Sequence, residues 1–149
     1  MPTALIVLIA LTVAGLLVHV LCMRILAWRG VTVRRTKFGL TLLFDTADDD
    51  GTPVRMLNVN GAFQSVAYAT DELWSELACE YQREQARIVS ELPRLARVAV
   101  IGGGGFSFPK WLVTHLPPVC VSVVEIDEKI IDIARESFGL DRLEREYAG

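Results

Sequence analysis

The chain has 149 residues, a formal net charge of −3 and a hydrophobic content of 52%. This length holds one modest domain, or a small one with accessories, and the slight acidic excess supplies no basic field for nucleic acid. Cys22, Cys79 and Cys120 are far apart and lack C-x-x-C spacing, which excludes a disulfide framework and a zinc site; each sits among apolar residues and reads as a buried, reduced thiol.

The hydrophobic excess is concentrated at the start. Pro2 to Met23 contains no charged residue, and these 22 positions give a helix of about 33 Å, enough to cross a hydrocarbon layer of about 30 Å. Arg24, Arg29, Arg34, Arg35 and Lys37 follow at once, so the positive-inside rule places the C-terminal side in the cytoplasm. The stretch lacks the basic n-region and small-x-small site of a cleaved signal, so it reads as a retained single-pass anchor. His19, inside the span, reads as a neutral imidazole near the interface.

Two β hairpins are expected next. Val31 to Arg35 and Phe38 to Phe44 are rich in β-branched and aromatic residues. Asp45 to Pro53 is polar, and Asp48-Asp49-Asp50-Gly51 lacks the further ligand positions of a calcium loop, so it reads as a solvated tip. Val54 to Val59 and Ala62 to Tyr68 flank Asn60-Gly61, a turn dipeptide. Thr70 or Asp71 then caps a helix whose apolar stripe is Leu73, Leu77, Tyr81, Ile88 and Leu92, and Pro93 stops it.

Val98-Ala-Val-Ile-Gly-Gly-Gly-Gly105 reads as a short buried strand running into a glycine loop. A helix over about 107–116 is broken by Pro117-Pro118, strand 120–125 ends on Glu125 and Asp127, and a helix over 128–138 is capped by Gly139. From Gly102 to Glu125 is 23 positions, room for a crossover helix, so the segment has the form of the first βαβ unit of a nucleotide-binding α/β fold. Glycines admit a ligand to the backbone, the helix start offers N–H groups, and a carboxylate at the second strand's end can accept hydrogen bonds from a ribose diol. The chemistry alone leaves NAD and an adenosylmethionine-type ligand both open.

The stretch Ile101-Gly-Gly-Gly104 with Val124-Glu-Ile-Asp127 resembles the start of the catalytic domain of the spermidine/spermine synthases, the polyamine aminopropyltransferases. Asn60-Gly-Ala-Phe-Gln-Ser65 resembles the strand that ends that family's N-terminal meander, and the likeness covers about residues 36–140. The resemblance implies an anchor (1–28), a β meander (31–69), a linking helix (70–93) and a partial Rossmann-like, class I methyltransferase-type domain (96–149). It implies that Gln64, Gly102, Gly103, Gly104, Glu125 and Ile126 hold the nucleoside end of decarboxylated S-adenosylmethionine or methylthioadenosine, without a metal. The family's Asp after the three glycines, which helps hold the amine, is Gly105 here. Its catalytic Asp loop and remaining strands are expected beyond residue 149, so no catalytic residue is assigned and the chain is expected to be inactive alone. Bare sheet edges imply a homo-oligomer or a second chain completing the sheet. The alternatives are a membrane-tethered, non-catalytic binding or scaffold remnant and a partial S-adenosylmethionine-dependent methyltransferase.

Overall fold

The structure is a computed structural model that describes residues 2–147. Helix α1 (Pro2–Trp28) is long and apolar enough to cross a membrane, and none of its apolar window is covered by the rest of the chain. Strands β1 (Thr32–Thr36), β2 (Gly39–Ala47), β3 (Pro53–Val59) and β4 (Ala62–Tyr68) form an antiparallel meander in the order β1-β2-β3-β4. Asn60 and Gly61 both have positive φ, at 55° and 87°, which the expected two-residue turn requires. At the other hairpin, the Asp48 carboxylate accepts from the amides of Asp50 (3.0 Å) and Thr52 (2.8 Å), so its role there is to close a turn.

The second half is parallel. β5 (Arg97–Ile101) pairs with β6 (Cys120–Val124) in the register Val98↔Val121 and Val100↔Val123, with α3 (Ser107–His115) as the crossover. Helices α4 (Glu128–Ser137) and α5 (Leu140–Tyr147) follow, separated by Gly139 at φ 74°. Leu57, Val59 and Ala67 of the meander pack on Ile130 and Ile133 of α4 and on Phe138 just after it, and the Ser107 hydroxyl at the start of α3 donates to Val66 O, so α4 and α3 join the meander to the parallel half. A second cluster joins Phe106, Ala134, Leu140 and Leu143, with Trp74 packed against it. Asp127 fastens the junction: buried, it accepts from the Lys37 amide at 2.6 Å and caps α4 through the Lys129 amide at 3.1 Å. The architecture is thus the α/β arrangement expected, with an apolar helix, a meander and a βαβα segment.

Three local expectations are corrected. The helix expected from residue 70 starts only at Glu80, as α2 (Glu80–Ser90), and turns and bends fill most of 70–79. Its first flanking residue, Cys79, makes no side-chain capping bond, so nothing in the sequence marks this start. The stripe is also displaced: Gln82 and Ala86 are buried, while Tyr81, Ile88 and Leu92 are 57%, 52% and 49% exposed. Finally, the cysteines are free but not buried, since Cys22 and Cys120 are exposed and Cys79 is half-buried. Cys120 lies on the face of the β5–β6 pair that none of the described helices covers, where Ile101 is 91% and Val124 65% exposed. Among the described residues β5 and β6 pair only with each other.

Candidate functional site

A cavity of about 510 Å³ opens where the two sheets meet, at the C-terminal ends of β5 and β6. This is where a parallel sheet presents its loops to ligands. Gln64 comes from β4, Gly102, Gly103 and Gly104 from the loop after β5, and Glu125 from the end of β6; all five line the same cavity. Ile126, the sixth expected residue, lies outside the lining and is 65% exposed.

Glu125 is folded back onto the glycine loop. Its Oε2 accepts from the amides of Gly103 (2.8 Å) and Gly104 (3.2 Å), and its Oε1 from the Asp127 amide (3.1 Å). The loop is therefore less open to an anion than the sequence suggested: Gly102 N–H donates to Val124 O, Phe106 N–H to Gly103 O, and Pro109 in the first turn of α3 has no N–H. Gly102 and Gly104 have φ of 85° and 51°, which side-chain-bearing residues avoid. Gly103 lies against the Phe106 ring, and a Cβ at Gly105 would sit 2.7 Å from Ser65 Oγ and 2.8 Å from Phe138 Cδ1. The space that a carboxylate would need at position 105 is thus filled by Ser65 and Phe138.

Sequence reasoning missed the α2 wall. Tyr81, Gln82 and Gln85 line the cavity, and Gln82 and Gln85 stand three apart on one helix face. Gln82 is buried and its Oε1 has no hydrogen-bond partner among the described residues. An unpartnered buried amide oxygen costs about 1–3 kcal/mol. The signal was present: two glutamines at i and i+3 where a core stripe was expected to continue. The lining carries one ionisable carboxylate, Glu125, together with carboxamides, aromatic rings and backbone. It suits an uncharged ring with hydrogen-bonding edges.

Lys110 was also missed. It is 2% exposed, and its Nζ donates to Phe138 O at 2.6 Å and Trp74 O at 2.8 Å, with the Trp74 ring 5.8 Å away. Burial holds its pKa down at about 8. It lies outside the cavity lining and ties the end of α4 to the 70–79 segment.

No family model matches the chain. Over 80 aligned residues it is 29% identical to the human eEF1A lysine and N-terminal methyltransferase, which covers 48% of this chain and 11% of that protein; the bovine protein of the same name matches with the same figures. Among solved structures, a probable spermidine synthase from Corynebacterium glutamicum superposes with a TM-score of 0.52 at 21% identity, covering 70% of this chain and 38% of that one. The superposition shows a Rossmann-like fold. The chain spans about a tenth of the curated relatives' length and under two fifths of the solved chain.

Proposed function

We propose that the cavity binds the nucleoside end of a sulfur-containing adenosyl ligand, decarboxylated S-adenosylmethionine or methylthioadenosine, in a spermidine synthase-like protein held at the membrane by α1. The observation that carries the reading is convergence: Gln64, Gly102 to Gly104 and Glu125, from three separate stretches of sequence, line one cavity. Glu125 accepts from ribose hydroxyls, the carboxamides of Gln64 and Gln82 border the ligand's polar edges, and the glycine backbone lies beneath it. The amine half of an aminopropyl transfer finds little support, because a cationic substrate needs converging carboxylates and Gly105 is packed closed. On its own, then, this polypeptide holds a nucleoside and does not transfer an aminopropyl group. The outer edges of β5 and β6, unpaired among the described residues, suit a further polypeptide segment, or another copy, that extends the sheet, and the exposed Ile101 and Val124 suit a layer packed on its open face.

A second reading, a partial S-adenosylmethionine-dependent methyltransferase, is favoured by the 29% identity to a protein named as one. Calorimetry separates the readings and tests both. Methylthioadenosine is expected to bind wild type, and Glu125→Ala to weaken it by about 1.5–3 kcal/mol, the range for a hydrogen bond to a charged group. Gln82→Leu is expected to weaken it as well. Equal affinities, or tighter binding of NAD, would remove the proposal, and tighter binding of S-adenosylmethionine than of its decarboxylated form would favour the second reading.

A further inference from the structure

The meander has a second face that neither hydrophobic core uses. One face carries Leu43, Leu57, Val59 and Ala67 towards α4. Residues alternate along a strand, so the other face carries Val33 beside Leu42, Arg35 beside Leu40, and the row Phe44, Met56 and Val66; the register shift between Leu57 and Asn58 brings Phe63, opposite Asn58, to the same face. Leu40 is 53% and Phe63 67% exposed. An antiparallel sheet with one face in water normally alternates apolar and polar. This one is apolar on both faces, and although Val54 is buried at one end of the outer face, Leu40 and Phe63 are left uncovered by the described residues.

The charge pattern and the tether identify the cover. No acidic residue precedes Asp45, whereas five basic residues lie between Arg24 and Lys37. Of these, Arg34 is paired with Glu136; Arg35 stands on the apolar outer face, and Lys37 and the 54% exposed Phe38 stand at its turn. Trp28, 85% exposed, ends α1, and β1 begins four residues later. That stretch reaches at most about 14 Å. An apolar and aromatic face bearing basic but no acidic groups, held that close to a bilayer, matches the chemistry of an interfacial membrane surface.

We infer that the outer face of the β1–β4 sheet lies on an anionic phospholipid surface, with Leu40 and Phe63 at the acyl boundary and Arg35 and Lys37 against lipid phosphates. The inference rests on α1 being a membrane anchor. The test uses the full chain in vesicles containing about 30% anionic phospholipid, with radiolabelled lipid and benzoylphenylalanine placed singly at position 13, 40, 63 or 84. Irradiation is expected to give lipid adducts at 13, 40 and 63, and none at 84 on α2. The double variant Arg35→Glu/Lys37→Glu is expected to lower the yield at 63 at least about fivefold at low salt. An adduct at 13 but none at 63 overturns the inference and leaves the anchor standing. A chain-to-chain adduct at 63 overturns it in favour of a second copy, and an unchanged yield in the double variant overturns the phosphate contacts. No adduct at 13 removes the anchor, and the inference with it.

Discussion

Lys110 gives the sharpest test of the packing. Its ammonium is buried, it has no carboxylate partner among the described residues, and its pKa is lowered from 10.5 to about 8 by that burial. The folded state therefore binds fewer protons than the unfolded chain between pH 8 and 10.5, and stability contributed by this group rises with pH across that window. Below pH 8 the charged form carries the whole cost, about 3 kcal/mol. Between pH 7 and pH 10 most of that cost is relieved. Lys110→Met removes the titration and leaves Phe138 O and Trp74 O without this donor. Its offset from wild type is therefore hard to assign at a single pH, but the difference between the two proteins must change with pH. The measurement is urea denaturation of both proteins, reconstituted in lipid, followed by tryptophan fluorescence from pH 7 to 10. Wild type is expected to gain about 2–3 kcal/mol relative to the variant over that range. Parallel profiles would mean that the lysine is hydrated or paired, and the reasoning would fail. The burial-raised pKa of Tyr81 acts in the opposite sense near pH 10 but is common to both proteins.

Gly105→Asp is expected to lower the melting temperature without creating spermidine synthase activity, because its Cβ meets Ser65 and Phe138; an active, equally stable variant would contradict this. Asp127→Ala removes the α4 cap and the acceptor for the Lys37 amide, and a loss of about 1–3 kcal/mol is expected in the same denaturation assay. Carbonate washing of membranes from cells expressing the full chain is expected to leave it in the pellet, and release would count against insertion. A homogeneous preparation of the 149-residue chain is expected to make no spermidine from putrescine and decarboxylated S-adenosylmethionine, judged by chromatography of the amines.

The elements read best from the sequence were those whose cause is local. Asn60-Gly61 requires two positive φ angles and makes its turn wherever the strands lie. The run from Val98 to Gly102 and the acidic end of β6 are likewise marked by residues that have few other uses. The failures have tertiary causes. Leu73, Leu77, Tyr81, Ile88 and Leu92 are spaced as a helical stripe, yet Leu77 is buried from a turn segment outside α2, and the helix presents Gln82 and Ala86 to its neighbours instead. Propensity cannot foresee that a polar residue faces inward to border a cavity. Lys110 looked like one surface charge in α3; only the approach of Phe138 and Trp74, from distant segments, gives it two carbonyl acceptors. The buried thiol reading failed at Cys120 because the helices that are described cover only one face of the β5–β6 pair.

The glycine loop shows how the weight of the functional argument moves once packing is known. Four successive glycines suggested a ligand, since each costs backbone entropy. Each now has a reason within the fold: positive φ at Gly102 and Gly104, an aromatic ring against Gly103, and Ser65 with Phe138 against Gly105. The run is accounted for without any ligand, so the case for binding rests on the cavity, on Gln82 and on Glu125. An ionised carboxylate offers about four acceptor sites, and Glu125 already uses three on backbone amides. One ribose hydroxyl can join without displacing a partner. A second must take the place of a loop amide, which then needs another acceptor, and the ligand's own oxygens are the nearest chemistry that could serve. Under the proposed function, affinity through Glu125 is thus a net of bonds exchanged, which places its expected contribution at the lower end of the charge-assisted range.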